Sequence, residues 1–335
     1  MKTSVDVTIV GFGLAGAAIA WALHERGLRL RVFDADLDGA SSKVAAGLIT
    51  PVTGKKLKPE SDFLNLRKRA VGHYRSIERL TDVPCFFERP ALRLLESERE
   101  LAALDRTTET PLALMQQGDT SEWSGFQTLG QVLLMPLAAR LDTRSYLDAS
   151  WQALSKTHEM LHAMPDDIEG SVVWCCGFHE SQANRAQALQ WRPAKGEIVV
   201  IHSDELGLPG TLHARGIWVT PDGDGQFLAG ATYSWDVLDG KPTNQARDEI
   251  AKTLDAVLDV PYRITGQRAG VRPIVQGRKP VIGRLDALNP QWIFNGLGSK
   301  GSLYAPSLGE LLAEQIVNDS EVPARFDYRQ RIDHS

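Results

Sequence analysis

Three glycines near the N-terminus have the spacing of a phosphate-binding turn. Gly11, Gly13 and Gly16 follow a short β-branched run at 5–10, and Ala and Leu then recur at helical spacing. In such a turn the first glycine allows a tight bend, the second lets the backbone approach a pyrophosphate, and the third lets the helix pack closely on the strands. We expect the phosphates at the positive end of a helix that begins near Leu14.

An acidic residue completes this candidate dinucleotide site. Gly27 ends the predicted helix, LRLRVF is predicted to be a second strand, and Asp34 follows it, about 20 residues after the glycines. Its carboxylate can accept hydrogen bonds from both hydroxyls of an adenosine ribose and would repel a 2′-phosphate. The β–α–β unit therefore indicates NAD or FAD, disfavours NADP, and does not separate the first two. A glycine-rich turn in an unrelated α/β protein is the alternative.

The remaining chain alternates helical and strand patterns that would position these residues. Residues 35–60 look like a loop. Apolar residues at helical spacing predict helices at 61–80, 97–106, 143–156 with Thr143 as its cap, 243–258 and 306–318 with Pro306 in its first turn. Strands are predicted at SVVWCCG (171–177), EIVVIH, GIWVTP, QFLAGATY and WIFNGLG (292–298). Asp222-Gly223-Asp224-Gly225 predicts a hairpin rather than a calcium loop.

Composition limits the function classes. The chain has 335 residues, with 43% hydrophobic and 24% charged residues, which is typical of a globular protein of about two domains. The formal charge of −5 disfavours nucleic-acid and membrane-surface binding, which depends on cationic charge. Three cysteines, two of them adjacent, indicate core residues in a reducing compartment rather than a disulfide framework. We therefore expect a cytoplasmic protein with no membrane segment and no leader.

The N-terminal sequence VTIVGFGLAGAAIAWALHERGLRLRVFD resembles the start of the D-amino acid oxidase and glycine oxidase family of flavoenzymes. SSKVAAGLITP at 41–51 is similar to the Ser-rich stretch that follows the ribose acid in that family. GVRPIVQGRKPVIGR at 270–284 and the following WIFNGLGSKGSLYAPSLGELLAEQIV are similar to the C-terminal block of glycine oxidases. This block also resembles the oxidase domain of a bifunctional enzyme that modifies the tRNA wobble uridine, whose methyltransferase half this sequence lacks.

The resemblance implies an α/β fold with two interleaved domains. One is a dinucleotide-binding, Rossmann-like FAD domain, and the other is a substrate domain built on an antiparallel sheet. The expected segments are 1–80, 138–187 and 265–335 for the FAD domain, and 81–137 and 188–264 for the substrate domain. The change to short strands near residue 196 agrees with this division.

The resemblance also implies which residues contact a non-covalently bound FAD. Serine hydroxyls and backbone N–H groups suit phosphate, and small residues suit a flat ring lying close. The expected contacts are Gly11, Gly13, Leu14, Ala15, Gly16, Asp34, Ala35, Ser41, Ser42, Lys43, Ala46, Gly47, Gly177, Gly298, Ser299, Lys300, Gly301 and Ser302. Residues 292–305 contain no cysteine, so we expect denaturation to release the flavin.

Three side chains are expected to serve catalysis. By the resemblance, Arg272 of the Gly-Val-Arg-Pro motif holds the substrate carboxylate, which its planar guanidinium can bind with two parallel hydrogen bonds. Tyr233 matches a zone over the flavin face, and Lys300 one at the flavin pyrimidine edge, where negative charge develops on reduction. The alternatives are an arginine paired with an acidic neighbour, a tyrosine that packs on a sheet, and a solvated lysine.

The implied function is an FAD-dependent oxidoreductase that oxidises a carbon–nitrogen bond of a small amine or amino acid. Hydride would pass from the carbon beside the amine to flavin N5, the imine would hydrolyse, and oxygen would reoxidise the flavin. The first alternative is an oxidase of a modified tRNA nucleoside, for which a basic cluster could contact phosphates. The cluster comprises Lys55, Lys56, Lys58, Arg67, Lys68 and Arg69; a solvated helix face is its ordinary meaning.

A zinc hydrolase is a more remote alternative, and a non-enzymatic nucleotide-binding module is another. HEMLH at 158–162 matches H-E-x-x-H, which on a helix places both histidines on one face with the glutamate as base. Glu180 could be a third ligand. The motif is short and the following Met164-Pro165 would end such a helix, so we expect no metal site.

Overall fold

The computed structural model of the chain describes residues 4–37, 39–54, 56–105, 114–128, 130–164, 168–183, 185–286 and 289–332. The described strands are β1 (Val7–Val10), β2 (Leu30–Phe33), β3 (Leu48–Ile49), β4 (Val52–Thr53), β5 (Lys58–Pro59), β6 (Phe86–Phe87), β7 (Ala91–Leu95), β8 (Gln116–Gln117), β9 (Gln131–Met135), β10 (Ala139–Leu141), β11 (Glu159–Leu161), β12 (Ser171–Trp174), β13 (Ala194–His202), β14 (Thr211–Ala214), β15 (Ile217–Gly223), β16 (Gln226–Gly230), β17 (Arg263–Arg272), β18 (Val281–Arg284) and β19 (Gln291–Asn295). The described α-helices are α1 (Leu14–His24), α2 (Ser41–Val44), α3 (Phe63–Thr81), α4 (Glu98–Asp105), α5 (Thr143–Leu154), α6 (Glu180–Ala183), α7 (Asn244–Val257), α8 (Gly301–Asn318) and α9 (Arg329–Ile332).

A six-stranded sheet contains the predicted β–α–β unit. Its spatial order is β11-β2-β1-β12-β19-β18, and its pairs are parallel except for β18 with β19. All four residues of the central strand β1 are buried, as its β-branched run predicts. Helix α1 is buried almost all round, and α8 packs against it so closely that a Cβ on Gly309 would lie 2.9 Å from the Ala18 backbone.

An eight-stranded sheet forms the second large layer, in the order β17-β13-β16-β15-β14-β7-β9-β8. Its pairs are antiparallel except for β14 with β7. The Asp224-Gly225 turn joins β15 to β16, which confirms the predicted hairpin. Strand β17 spans the expected domain boundary at 265 and belongs to this sheet. The fold is thus a mixed α/β architecture with a parallel and an antiparallel sheet, as the sequence predicts.

Several local predictions need correction. Residues 35–60 are not a continuous loop, because they contain α2 and the short strands β3, β4 and β5. The cap of α5 is Asp142, whose side chain accepts a hydrogen bond from the Ser145 N–H at 3.2 Å. Thr143 is instead the first helical residue, and its hydroxyl donates to the Ala45 carbonyl. Strand β12 ends at Trp174, and Gly177 begins a 3₁₀ turn.

Helix α8 begins at Gly301, so Pro306 lies inside it rather than in its first turn. Proline has no N–H to donate to the carbonyl four residues before it, which is that of Ser302. The buried Tyr74 hydroxyl of α3 donates to that carbonyl at 2.8 Å. A side chain from a neighbouring helix therefore replaces the missing backbone hydrogen bond.

HEMLH does not form a helix. Its central residues are β11, the edge strand beside β2. His158 shares a 2.9 Å hydrogen bond with His24, while His162 contacts the Asp34 carbonyl at 3.1 Å. This segment therefore does not form the helix on which the remote zinc alternative depends. Within the described ranges, no helix is both long and apolar enough to cross a bilayer.

Candidate active site

A cleft of about 1960 Å³ is lined by residues of both large sheets. Typical ligand pockets have volumes of about 300–1,000 Å³, so this cleft has room for a dinucleotide and a second molecule. The predicted site residues that line it are Gly11, Gly13, Leu14, Ala15, Asp34, Ala35, Ser41, Ser42, Ala46, Gly47, Gly177, Tyr233, Arg272, Gly298, Ser299, Lys300, Gly301 and Ser302. Gly16 and Lys43 lie outside this lining.

The glycine turn is packed tightly against its surroundings. Gly11 has a φ of +97°, and a Cβ there would lie 2.5 Å from the Cys175 carbonyl oxygen. A Cβ on Gly16 would lie 1.8 Å from the Gly11 carbonyl oxygen, so Gly16 is required for close packing rather than for contact with a ligand. At Gly13 the space of a side chain is taken by Ser42 Oγ, which would lie 2.7 Å from a Cβ.

Ser42 joins the serine stretch to the glycine turn. Its hydroxyl accepts a hydrogen bond of 3.0 Å from the Leu14 N–H at the start of α1. Lys43 does not line the cleft, and its ammonium group pairs with Asp36 instead. Gly47 has a φ of +72°, and a Cβ on it would lie 1.8 Å from the Leu141 carbonyl oxygen.

Asp34 is held in a fixed orientation at the end of β2. Its two carboxylate oxygens accept hydrogen bonds from the backbone N–H groups of Phe12 and Asp36. Each oxygen keeps a free lone pair, and the residue lines the cleft beside the N-terminus of α1. A fixed carboxylate next to a glycine turn and a helix N-terminus fits the ribose and pyrophosphate of a dinucleotide.

Arg272 reaches the cleft from the end of β17. Its guanidinium donates to the Thr232 carbonyl at 3.3 Å and lies 4.1 Å from the centre of the Tyr233 ring. Burial lowers the pKa of this guanidinium and Tyr233 opposes the shift, yet an arginine stays charged in proteins. Among the described acidic residues, none forms an ion pair with it. The predicted alternative, an arginine paired with an acidic neighbour, is therefore not what the structure contains.

Gly196 makes room for this guanidinium and was missed by the sequence reasoning. It lies on β13, and a Cβ there would be 2.1 Å from Arg272 Nη2 and 2.2 Å from Nη1. The guanidinium therefore lies directly over the bare backbone of the neighbouring strand. Gly196 directly precedes the predicted strand EIVVIH, and a glycine at that place is the one sequence signal for a close backbone approach.

Tyr233 connects the eight-stranded sheet to the loop that precedes α8. Its hydroxyl shares a hydrogen bond of 2.7 Å with Ser299 Oγ. Tyr233 is 49% exposed, whereas a tyrosine that only packs on a sheet, the alternative considered above, would be largely buried. One ring face covers Arg272. Tyr233, Ser299 and Arg272 thus form one connected unit at the cleft wall.

Lys300 belongs to an ion cluster that the sequence did not predict. Its ammonium group donates to Glu60 at 2.9 Å, and Lys279 donates to the other Glu60 oxygen at 2.7 Å. Burial raises the pKa of Glu60, but hydrogen bonds from Lys279, Tyr304 and Lys300 outweigh it and lower this pKa to about 2. The cluster carries a net charge of about +1 beside the cleft, and Lys300 is not a freely solvated lysine.

The remaining sequence candidates are spread out. Glu180 is fully buried, its carboxylate 3.8 Å from Arg185, and burial raises its pKa. Within the part of the chain that the structure describes, no three His, Cys, Asp or Glu residues are grouped to hold a metal ion.

Of the basic cluster, Arg67 donates to the Leu137 carbonyl and to Glu88. Lys55 lies outside the described residues, and the exposed members are Lys56, Lys58, Lys68 and Arg69.

Known proteins resemble this chain over most of its length. Residues 6–315 match the DAO family, described as FAD dependent oxidoreductase. Solved structures with the same fold include glycine oxidase from Geobacillus kaustophilus, with a TM-score of 0.80 at 19% identity over 96% of each chain. Another is L-proline dehydrogenase from P. horikoshii, with a TM-score of 0.79 at 17% identity, covering 98% of this chain and 97% of that one.

Curated relatives fall into two groups. The bifunctional protein MnmC of tRNA 5-methylaminomethyl-2-thiouridine biosynthesis from Idiomarina loihiensis is 26% identical over 98% of this chain. The chain spans 52–58% of the length of three such bifunctional relatives. Glycine oxidase from Bacillus licheniformis is 22% identical, and the match covers 95% of this chain and 95% of that protein. Because the family match extends over most of the sequence, the chain belongs to the DAO family of FAD-dependent oxidoreductases.

Proposed function

We propose that this enzyme oxidises the carbon–nitrogen bond of an amine that carries a carboxylate, as an amino acid does. The observation that carries the proposal is the Arg272 guanidinium, which lines the cleft without an acidic partner among the described residues. A half-buried cation needs an anion. A substrate carboxylate would supply it in a bidentate pair.

The residues of the cleft divide into two roles. Asp34 would bind the adenosine ribose of FAD, and the N-terminus of α1 with Ser42 would face its pyrophosphate. When bound, FAD would supply the redox chemistry as the acceptor of a hydride from the carbon beside the amine. Arg272 would fix the substrate by its carboxylate, and the hydrogen bond between Tyr233 and Ser299 would hold the covering ring in place. The positive cluster of Glu60, Lys279 and Lys300 would favour negative charge on a bound group nearby.

Purified protein provides the first test. We expect a yellow protein whose flavin is released by denaturation and is FAD, because Asp34 is placed to bind an adenosine half. A peroxide-coupled screen of glycine, sarcosine and D-amino acids then identifies a substrate, with oxygen as the proposed acceptor. A colourless protein that FAD cannot reconstitute would contradict the proposal.

The Arg272→Met variant tests the carboxylate contact. Loss of one partner of a buried charge pair costs about 2–5 kcal/mol, so kcat/KM for a carboxylated amine should fall roughly 30-fold to several thousandfold. The matched control is an amine of the same length without the carboxylate, which should lose far less. FAD content and thermal stability should be unchanged. Equal losses for both substrates would show that Arg272 does not bind the carboxylate.

A second candidate substrate is an amine on a modified tRNA nucleoside. It is favoured by the bifunctional tRNA-modifying relatives and by the exposed Lys56, Lys58, Lys68 and Arg69. The negative overall charge argues against it. Oxidation of tRNA amines that is lost when these four residues are changed to Gln, with free amino acids unaffected, would favour this candidate.

A further inference from the structure

Two aromatic rings form an exposed platform at the mouth of the cleft. Tyr233 is 49% exposed and Trp235 is 60% exposed. Their ring centres lie 6.1 Å apart with a tilt of 34°. Both rings line the cleft. Tyrosine and tryptophan rings are normally well buried, and large exposed apolar groups beside a cleft indicate contact with a ligand or partner.

The backbone beneath this aromatic platform is held by hydrogen bonds to the strand β13. Ser234, between the two aromatic residues, exchanges two hydrogen bonds with Lys195 of β13, of 2.8 and 3.0 Å. The Lys195 ammonium group is buried and donates to Asp239 at 2.6 Å and to the Lys241 carbonyl at 2.5 Å. These bonds fix both ends of the loop. Trp235 is therefore presented on a preorganised segment, which lowers the entropic cost of binding.

The aromatic platform is continuous with the carboxylate contact. The Tyr233 ring centre lies 4.1 Å from the Arg272 guanidinium and 6.1 Å from the centre of the Trp235 ring. A ligand that binds Arg272 through its carboxylate and extends along Tyr233 would bring its distal part to the Trp235 ring. Glycine is too short to use both contacts, and both rings line the same cleft as Arg272.

We propose that the substrate is an amino acid bearing a flat aromatic or heterocyclic ring, and that Trp235 selects it by stacking on that ring. This inference rests on the proposed function, because it takes the carboxylate to bind Arg272. Ring stacking on an aromatic side chain requires only a flat π-face on the ligand, so it distinguishes ring-bearing from aliphatic substrates.

Binding can be measured without turnover by titrating the FAD-loaded protein with acetate and with indole-3-acetate. Neither has an amine to oxidise, and the absorption change of the flavin reports occupancy. We expect indole-3-acetate to bind at least tenfold more tightly than acetate. In Trp235→Ala its affinity should fall about 5- to 150-fold, while the affinity of acetate stays the same. Val237→Ala is the matched control, since Val237 is 58% exposed on the same loop.

The outcomes separate the two proposals. If both carboxylates bind equally in the wild type, or if Trp235→Ala leaves their ratio unchanged, the ring inference is overturned while the carboxylate contact stands. If neither carboxylate binds and Arg272→Met changes nothing, the proposed function fails and the inference fails with it. If the wild type sediments as a dimer that Trp235→Ala converts to a monomer, the aromatic platform binds a second copy and the ring inference is wrong.

Discussion

A single methyl group on Gly196 should displace the Arg272 guanidinium. In Gly196→Ala the new Cβ would lie 2.1–2.3 Å from three guanidinium atoms, whereas ordinary van der Waals contact begins at 3.4 Å. The side chain must therefore move by about 1 Å or more, because the alanine Cβ is fixed by the β13 backbone. The contact is with the far end of a flexible side chain, so the strand can remain in place.

This displacement should affect catalysis far more than folding. A misplacement of about 1 Å in a binding group can reduce the rate about 100-fold. We expect kcat/KM for a carboxylated amine to fall by about 100-fold in Gly196→Ala. The free energy of unfolding should change by less than about 1 kcal/mol, because the reduced entropy of the unfolded chain offsets part of the strain.

Gly266→Ala is the matched control for this experiment. Gly266 lies on the partner strand β17, and a Cβ there would meet Val200 Cγ2 at an ordinary 3.4 Å. Steady-state kinetics of both glycine variants, each with and without Arg272→Met, measures the energetic coupling between positions 196 and 272. In the Arg272→Met background Gly196→Ala should add no further loss. A Gly196→Ala enzyme that keeps kcat/KM within about twofold of wild type would refute the reasoning.

Asp34, Glu60 and Tyr74 each make a contact whose loss can be measured. Asp34→Ala should weaken FAD binding about 10- to 150-fold, because charge-assisted hydrogen bonds contribute about 1.5–3 kcal/mol. Titration of the apo-protein with FAD measures this affinity, and an unchanged affinity would mean that another group binds the ribose. The Glu60 carboxylate should stabilise the fold at pH values above its ordinary pKa of 4.5, and this contribution should be lost as the pH falls towards its folded pKa of about 2. In urea unfolding, the difference in stability between wild type and Glu60→Gln should therefore shrink between pH 5 and pH 3. A difference that stays constant over this range would contradict the prediction. Tyr74→Phe should lower the free energy of unfolding by about 1–3 kcal/mol, since it leaves the Ser302 carbonyl without a donor. The loss should be smaller in a Pro306→Ala background, where the backbone N–H of residue 306 can donate to that carbonyl. Equal losses in both backgrounds would show that the Tyr74 hydroxyl does not replace the missing backbone hydrogen bond.

The dinucleotide end of the molecule was predictable because its constraints are local. The run at 5–10, the glycines and Asp34 lie within one β–α–β unit, so spacing along the chain translates directly into geometry. The place of HEMLH in the fold could not be predicted, for the opposite reason. The segment forms the edge strand β11 because it pairs with β2, which is more than 120 residues away in sequence. A motif of five residues cannot show a pairing over that distance.

At the Arg272 side of the cleft, the sequence named residues but could not predict their contacts. Arg272 and Tyr233, which the resemblance proposed, both line the cleft, yet the position of Gly196 beneath the guanidinium depends on the register of β13 against β17. Glu60 lay in a stretch that looked like loop, and its partners Lys279 and Lys300 follow more than 200 residues later. Likewise, the start of α8 at Gly301 was hidden by Pro306, which is tolerated inside the helix because Tyr74 donates to the Ser302 carbonyl.

The order of strands in the six-stranded sheet has a consequence for how the chain is made. Strand β1 pairs with β2 at once, but its other neighbour is β12, and β12 in turn pairs with β19. During synthesis on the ribosome, β1 therefore keeps one unpaired edge until about residue 174 has emerged, and the sheet closes only after residue 295. Long-range parallel pairing of this kind slows folding and leaves strand edges open to aggregation. The nascent chain consequently exposes first the β1 edge and then the β12 edge until β19 has emerged, and chains stopped before β19 should be recovered as aggregates.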